Sequence, residues 1–94
     1  MAYLDSDIEG AAEIAVREVL RDRLEAFGFE GATIAAGRHY DGLPVLFIDI
    51  HYRAGAPPLP PDVSLGLVDV LRKALLGVGE RRFPHVRHLL PDSP

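Results

Sequence analysis

The chain has 94 residues, a length that allows one domain with a single core. Hydrophobic residues make up 48% and charged residues 26% of it, which is ordinary for a globular protein and excludes an intrinsically disordered chain. There is no cysteine, so disulfides, a thiolate nucleophile and a cysteine-ligated zinc site are excluded.

The formal net charge is −4, which argues against non-specific binding to nucleic-acid phosphates. The charge is unevenly divided between the two halves of the chain. Residues 1–50 hold ten acidic residues against four arginines, and residues 51–94 hold six basic residues against four acidic ones. This division leaves open a basic patch near the C-terminus, or packing of unlike charges between two copies.

No basic segment followed by an apolar run stands at the N-terminus, and no apolar run approaches about 18 residues. We therefore expect no signal peptide, no membrane partner and a cytoplasmic location.

A first helix is predicted to begin near Asp7, because Ser6 and Glu9 have the spacing of a capping box. Apolar residues then recur at intervals of three and four, as a helix with one buried face requires. This predicted stripe consists of Ile8, Ala12, Ala15 or Val16, Val19 or Leu20, Leu24 and Phe27. Gly28 is the expected left-handed stop.

Residues 31–53 predict one long β-hairpin that turns at Asp41 and Gly42, since an Asp-Gly pair before a β-branched and aromatic run is a strong hairpin signal. The first strand, at about 32–38, is rich in alanine and glycine, and we interpret it as a flat surface that a helix covers. In the second strand Leu46, Ile48, Ile50 and Tyr52 are predicted to form the core face, while Val45, Phe47, Asp49 and His51 form the other face.

Residues 54–61 contain four prolines in five positions and predict a rigid, extended connector. Its overlapping P-x-x-P patterns are also compatible with an SH3-type ligand. A second helix should follow at about 62–76, ending at Gly77 or Gly79. Its predicted core stripe is Val63, Leu67, Val70 or Leu71, Ala74 and Val78. Leu65, Val68 and Leu75 or Leu76 form a second apolar flank, which favours self-association.

The segment 83–89 is predicted to be extended, as a possible third strand, although a helical turn entered through Pro84 is the alternative. The fold class is therefore α+β: a two-layer α-β-β-α sandwich in one domain, in which two helices cover an antiparallel hairpin. Residues 1–5 and 91–94 are expected to be flexible. The element order is similar to that of KH-type RNA-binding domains, but no Gly-x-x-Gly loop joins two helices here.

Two hypotheses for chemistry start from the histidines. Asp49 and His51, joined by His85 or His88, have the ligand types of a zinc or manganese site, which would suit a metal- or His-dependent hydrolase. The spacing of Arg82 and His88 resembles that of HEPN ribonucleases, which place an arginine and a histidine on a helix. Neither pattern is specific, and we predict no cofactor and no bound metal.

Arg81, Arg82, Phe83, Arg87 and His88 form a basic cluster with one aromatic residue. Such clusters hold phosphates and stack bases, so a nucleic-acid-binding module, helped by Arg53, is one alternative.

The sequence lacks a serine nucleophile elbow, a phosphate loop and a catalytic carboxylate pair. This absence favours a non-enzymatic interaction or regulatory module, an adaptor or antitoxin-like protein. We expect it to form a homodimer through the second helix or a sheet edge and to bind a protein partner. The predicted interaction residues are Leu65, Val68, Leu76, Arg81, Arg82, Phe83, Arg87 and His88.

Overall fold

The structure, a computed structural model, describes residues 10–90. Its helices and strands follow the predicted α-β-β-α-β order: α1 (Gly10–Leu24), β1 (Phe29–Arg38), β2 (Pro44–Tyr52), α2 (Pro61–Gly77) and β3 (Phe83–Leu89). The α+β class is confirmed, and the tail forms a strand over the predicted residues. The predicted capping box, and the ends 1–5 and 91–94, lie outside the described residues.

The hairpin turns where the sequence predicts it, in a loop between His39 and Leu43. The His39 N–H donates to the Leu43 carbonyl at 2.8 Å, and the Gly42 N–H donates to the His39 carbonyl at 2.8 Å. The Asp41 carboxylate accepts the Leu43 N–H at 3.0 Å. Gly42 has a φ of +90°, a conformation that costs glycine little. The turn chemistry therefore fixes the antiparallel register of β1 against β2.

The sheet has the order β1-β2-β3, and β3 runs parallel to β2. The predicted hairpin is antiparallel, and the third strand makes the sheet mixed. The reason is that α2 crosses over the sheet and returns the chain to the end where β2 begins, which is how parallel neighbours are connected. The third strand therefore starts beside the first residues of β2.

Helix α1 buries the side chains of Ala12, Val16, Leu20 and Leu24, which follow one another at four-residue intervals. A single 3-10 turn, Glu25–Phe27, ends the helical segment. Gly28 then adopts a φ of +86° and donates its N–H to the Glu25 carbonyl. The predicted left-handed stop is confirmed.

Helix α2 begins at Pro61, after an extended Pro60, as expected of a proline in the first helical turn. Its buried residues are Leu67, Leu71 and Leu75. The assignment of Leu75 to an outer flank was therefore wrong, and so was the assignment of Val78 to the core, because Val78 lies beyond the helix and is exposed. The three leucines follow one another at four-residue intervals, so they lie on one side of the helix and are buried together.

The core lies between the two helices and one face of the sheet. Leu46, Ile48 and Ile50 of the central strand β2 are fully buried there, and Tyr52 nearly so. Ala32, Ile34 and Ala36 of β1 pack against this cluster. The predicted flat surface under the helices is confirmed for Ala32 and Ala36, whereas Ala35 and Gly37 lie on the opposite face of the sheet. Between residues 10 and 90 no helix is long and apolar enough to cross a membrane.

The adjacent leucines of α2 provide a test of this packing. Leu75→Ala should lower the free energy of unfolding by about 2–5 kcal/mol, because it empties a fully buried position. Leu76→Ala, at a side chain that is 51% exposed, should change it by less than about 1 kcal/mol. Urea unfolding of both variants measures the difference, and equal losses would contradict the helix orientation.

Candidate functional site

The predicted apolar flank of α2 is only partly a surface. Leu65 is 80% and Leu76 51% exposed, whereas Val68 is half-buried. Leu65 and Leu76 are separated by three turns of helix, so they do not form one compact patch. The flank is available for contact but offers few apolar atoms in any one place.

The predicted basic cluster is divided by the fold. Arg81 is exposed in the link before β3. Arg82 donates from its Nε and Nη2 atoms to the two oxygens of Glu80, at 2.8 and 2.9 Å. These hydrogen bonds, above all those from the Arg82 side chain, hold the pKa of Glu80 below its ordinary value. Arg82 therefore lies in a bidentate ion pair, a strong geometry for arginine and a carboxylate.

Phe83 stands at the first position of β3 and is 46% exposed. The Arg72 guanidinium of α2 lies 5.5 Å from the centre of its ring, within cation-π distance. Phe83 is therefore held from one side and accessible from the other.

Arg87 and His88 are neighbours in sequence but lie on opposite faces of the sheet, because side chains alternate along a strand. Arg87 pairs with Asp49 of β2, donating from Nε and Nη2 to the two carboxylate oxygens at 2.8 and 2.7 Å. His88 lies on the helix-covered face, where its Nδ1 atom is 2.7 Å from the Tyr52 hydroxyl. The five residues of the cluster thus do not converge on one ligand.

Asp49, one of the proposed metal ligands, has both carboxylate oxygens in hydrogen bonds with Arg87. Hydrogen bonding from Arg87 is the main cause that holds the pKa of Asp49 below its ordinary value. The pair therefore stabilises the fold above about pH 4, and this contribution is lost as the pH falls through the Asp49 pKa. Within residues 10–90 no group of three histidine or acidic side chains is placed to hold a metal ion. His85 approaches His39 at the hairpin turn rather than His51.

The face of the sheet opposite the helices, here called the open face, brings together the alternate residues of all three strands. The core cluster that joins both helices to the sheet contains none of them. By register they are Gly31, Thr33, Ala35 and Gly37 of β1, Val45, Phe47, Asp49 and His51 of β2, and Phe83, His85, Arg87 and Leu89 of β3. Asp49 and Arg87 are the acid and the arginine of this set, and each neutralises the other.

The open face has two different halves. On β2 and β3 it carries Phe47, Leu89 and Phe83, whose ring also meets Arg72 of α2, while Val45 on this face is itself buried. The His85 ring packs edge-on against Phe47 at 5.3 Å. On β1 the open face carries only small side chains. The Phe47 ring lies over Gly37 of β1, and a Cβ atom at this position would overlap the ring. The result is an aromatic ridge beside a low strip.

Comparison with family models, with curated proteins and with solved structures finds no match to this chain. Function is therefore inferred from the geometry alone.

Two features of the open face escaped sequence reasoning. The first is the pairing of Asp49 with Arg87, which depends on a parallel register that no local pattern sets. The second is the role of Gly37. The composition of β1 suggested that a helix packs against this residue, but its neighbour is the Phe47 ring. A detectable signal did exist, since Gly37 and Phe47 fall on the same face of an Asp-Gly hairpin once the register is written out.

The contact between Gly37 and Phe47 can be tested with a matched glycine on the same face. Gly31→Ala meets no atom within 4 Å and should raise the free energy of unfolding by a few tenths to about 1 kcal/mol, because alanine reduces the freedom of the unfolded chain. Gly37→Ala should instead lower it by about 1 kcal/mol, since the Phe47 ring must swing toward solvent. Urea unfolding provides the comparison.

In a Phe47→Ala background, Gly37→Ala should lose this penalty and behave like Gly31→Ala. A penalty that persists without the ring would contradict the contact.

Proposed function

We propose that this chain is a non-enzymatic protein-interaction module that forms a homodimer through the open face of its sheet. One observation supports this most directly: a parallel strand pair, β2 and β3, keeps one apolar face outside the core. Sheets made only of parallel strands are almost always covered on both faces, whereas antiparallel sheets tolerate one wet face, and this mixed sheet contains one pair of each kind. We therefore expect a partner to bury the open face of β2 and β3.

The chemistry of the open face suits burial against a protein. Its acid and its arginine are already joined by two hydrogen bonds, so covering them leaves no unpaired charge. His51 is likewise within 3.3 Å of the Thr33 hydroxyl. Apart from His85, which packs against the Phe47 ring, the remaining side chains are apolar or small.

A second copy is the partner that this surface fits best. A two-fold interface must be self-complementary, so each copy has to supply both a protruding and a receiving surface. The aromatic ridge of β2 and β3 and the low strip of β1 supply these two shapes on one face. A partner of this kind agrees with the expectation of a cytoplasmic regulatory or adaptor protein.

The size of the open face sets the expected affinity. Three strands about 4.8 Å apart and seven residues rising about 3.3 Å each give a flat area of roughly 300 Å². A standard interface buries about 800 Å² per partner. We therefore expect a weak dimer, with a dissociation constant in the micromolar range or above.

Sedimentation equilibrium over roughly 1 to 200 μM should show a monomer-dimer equilibrium. Phe83→Asp combined with Leu89→Asp should give a monomer throughout this range, because two charges then enter an apolar contact with no partner. Both side chains are at least 36% exposed, so the fold should persist, and circular dichroism checks this.

The matched control places the same two charges on α2, as Leu65→Asp with Leu76→Asp. This variant should dimerise like the parent. A parent that is monomeric at 200 μM would contradict self-association, and loss of dimer only in the α2 variant would move the interface to the helix.

A further inference from the structure

A pocket of about 420 Å³ lies at the end of the sheet where β2 and β3 finish. The proline-rich connector forms one wall through Pro57, Pro58 and Leu59, and Phe27 contributes another. Pockets that bind small molecules typically measure about 300–1,000 Å³ and combine apolar walls with a few polar groups. This pocket is therefore of a size for a small ligand with an apolar body.

The polar groups of the pocket are Tyr52, His88 and Ser64. The Tyr52 hydroxyl and the His88 Nδ1 atom are 2.7 Å apart, and the two rings are nearly coplanar, at 7°. The Ser64 hydroxyl donates to the Pro61 carbonyl at 3.2 Å. In either tautomer of His88, the Tyr52 and His88 pair uses one hydrogen between its members and keeps one N–H or O–H to donate elsewhere.

The charged residues around the pocket indicate which sign of charge the polar end of a ligand would carry. None of the lining residues between positions 10 and 90 is acidic. Arg53 lies near the pocket wall: a Cβ atom at Gly28 would be 3.4 Å from the Arg53 Nη1 atom and 2.5 Å from the Cβ atom of Ala56, which lines the pocket. An anion beside Tyr52 and His88 would meet the hydrogen-bond donor of this pair, with the Arg53 cation nearby. An ammonium group would meet no carboxylate among the described lining residues.

We propose that this pocket binds a small carboxylic acid with an apolar or aromatic body, whose carboxylate is held by Tyr52 and His88 with Arg53 at the rim. A protonated His88 would donate from Nδ1 to the Tyr52 oxygen, which frees the Tyr52 O–H and the His88 Nε2–H. These are two donors for one carboxylate.

Burial sets the protonation state of the two groups in the empty pocket. It lowers the pKa of the His88 imidazole and raises the pKa of the Tyr52 hydroxyl, so the empty pocket holds both groups neutral near pH 7. Binding of a carboxylate then takes up a proton at His88. The groups that line the pocket from β2, the connector and α2 are Tyr52, prolines and Ser64, and none of them supplies a competing negative charge near pH 7.

The test uses two probes of the same shape, 4-phenylbutyrate and its neutral amide, 4-phenylbutanamide. Heteronuclear NMR titration of the parent protein should place the shift changes on Tyr52, His88 and Leu59. The carboxylate should bind about tenfold more tightly than the amide, as expected for hydrogen bonds to a charged group. Its affinity should also rise between pH 8 and pH 6.

Tyr52→Phe and His88→Gln should each remove most of the preference for the carboxylate, and Arg53→Gln should reduce it. His51→Gln, on the open face of the same strand, should leave it unchanged. Equal affinity for the two probes, shifts confined to the open face, or no binding at 10 mM would overturn the proposal. Because the open face is not part of this pocket, the outcome is independent of dimer formation.

Discussion

The structure depends on the parallel pairing of β3 with β2. Without it the chain would present a two-stranded hairpin, which is marginal in water even when helices cover one face. With it, β2 becomes a central strand that is hydrogen-bonded along both edges. Its residues Leu46, Ile48 and Ile50 are then completely buried beneath the helices.

The same pairing determines both surfaces that the chain offers to other molecules. The register places Arg87 beside Asp49 on the open face and His88 beside Ile50 on the covered face. A shift by one residue would exchange these faces and leave Asp49 without its arginine and Tyr52 without its histidine. The neutral open face and the polar end of the pocket are therefore two consequences of one register.

Local sequence signals predicted the parts of the fold that local chemistry decides. The Asp41 and Gly42 turn, the stop at Gly28 and the start of α2 at Pro61 each depend on residues close in the chain, and each was found. Periodicity also identified the core face of β2. The predicted stripe of α2 included the buried Leu67 and Leu71 but missed Leu75 at its C-terminal end, because this helix is apolar on more than one side.

The direction of β3 could not come from seven residues with a proline at the second position. It follows from topology, since a strand that comes after a crossing helix usually pairs in parallel with the strand before that helix. The candidate site was correspondingly the least predictable part. Arg82, Arg87 and His88 are close in sequence, but the link before β3 pairs Arg82 with Glu80, and alternation along β3 directs Arg87 to Asp49 and His88 to Tyr52.

The parallel register can be measured directly, because the chain contains no cysteine and any disulfide must join two introduced residues. Asp49→Cys with Arg87→Cys places two thiols at paired positions on one face, at a separation that a disulfide can span. The account predicts rapid intramolecular oxidation of this variant, seen as loss of free thiols without a disulfide-linked dimer. His51→Cys with Phe83→Cys, at opposite ends of the same face, should keep its thiols. The reverse result, a bridge between positions 51 and 83, would show an antiparallel β3 and contradict the account.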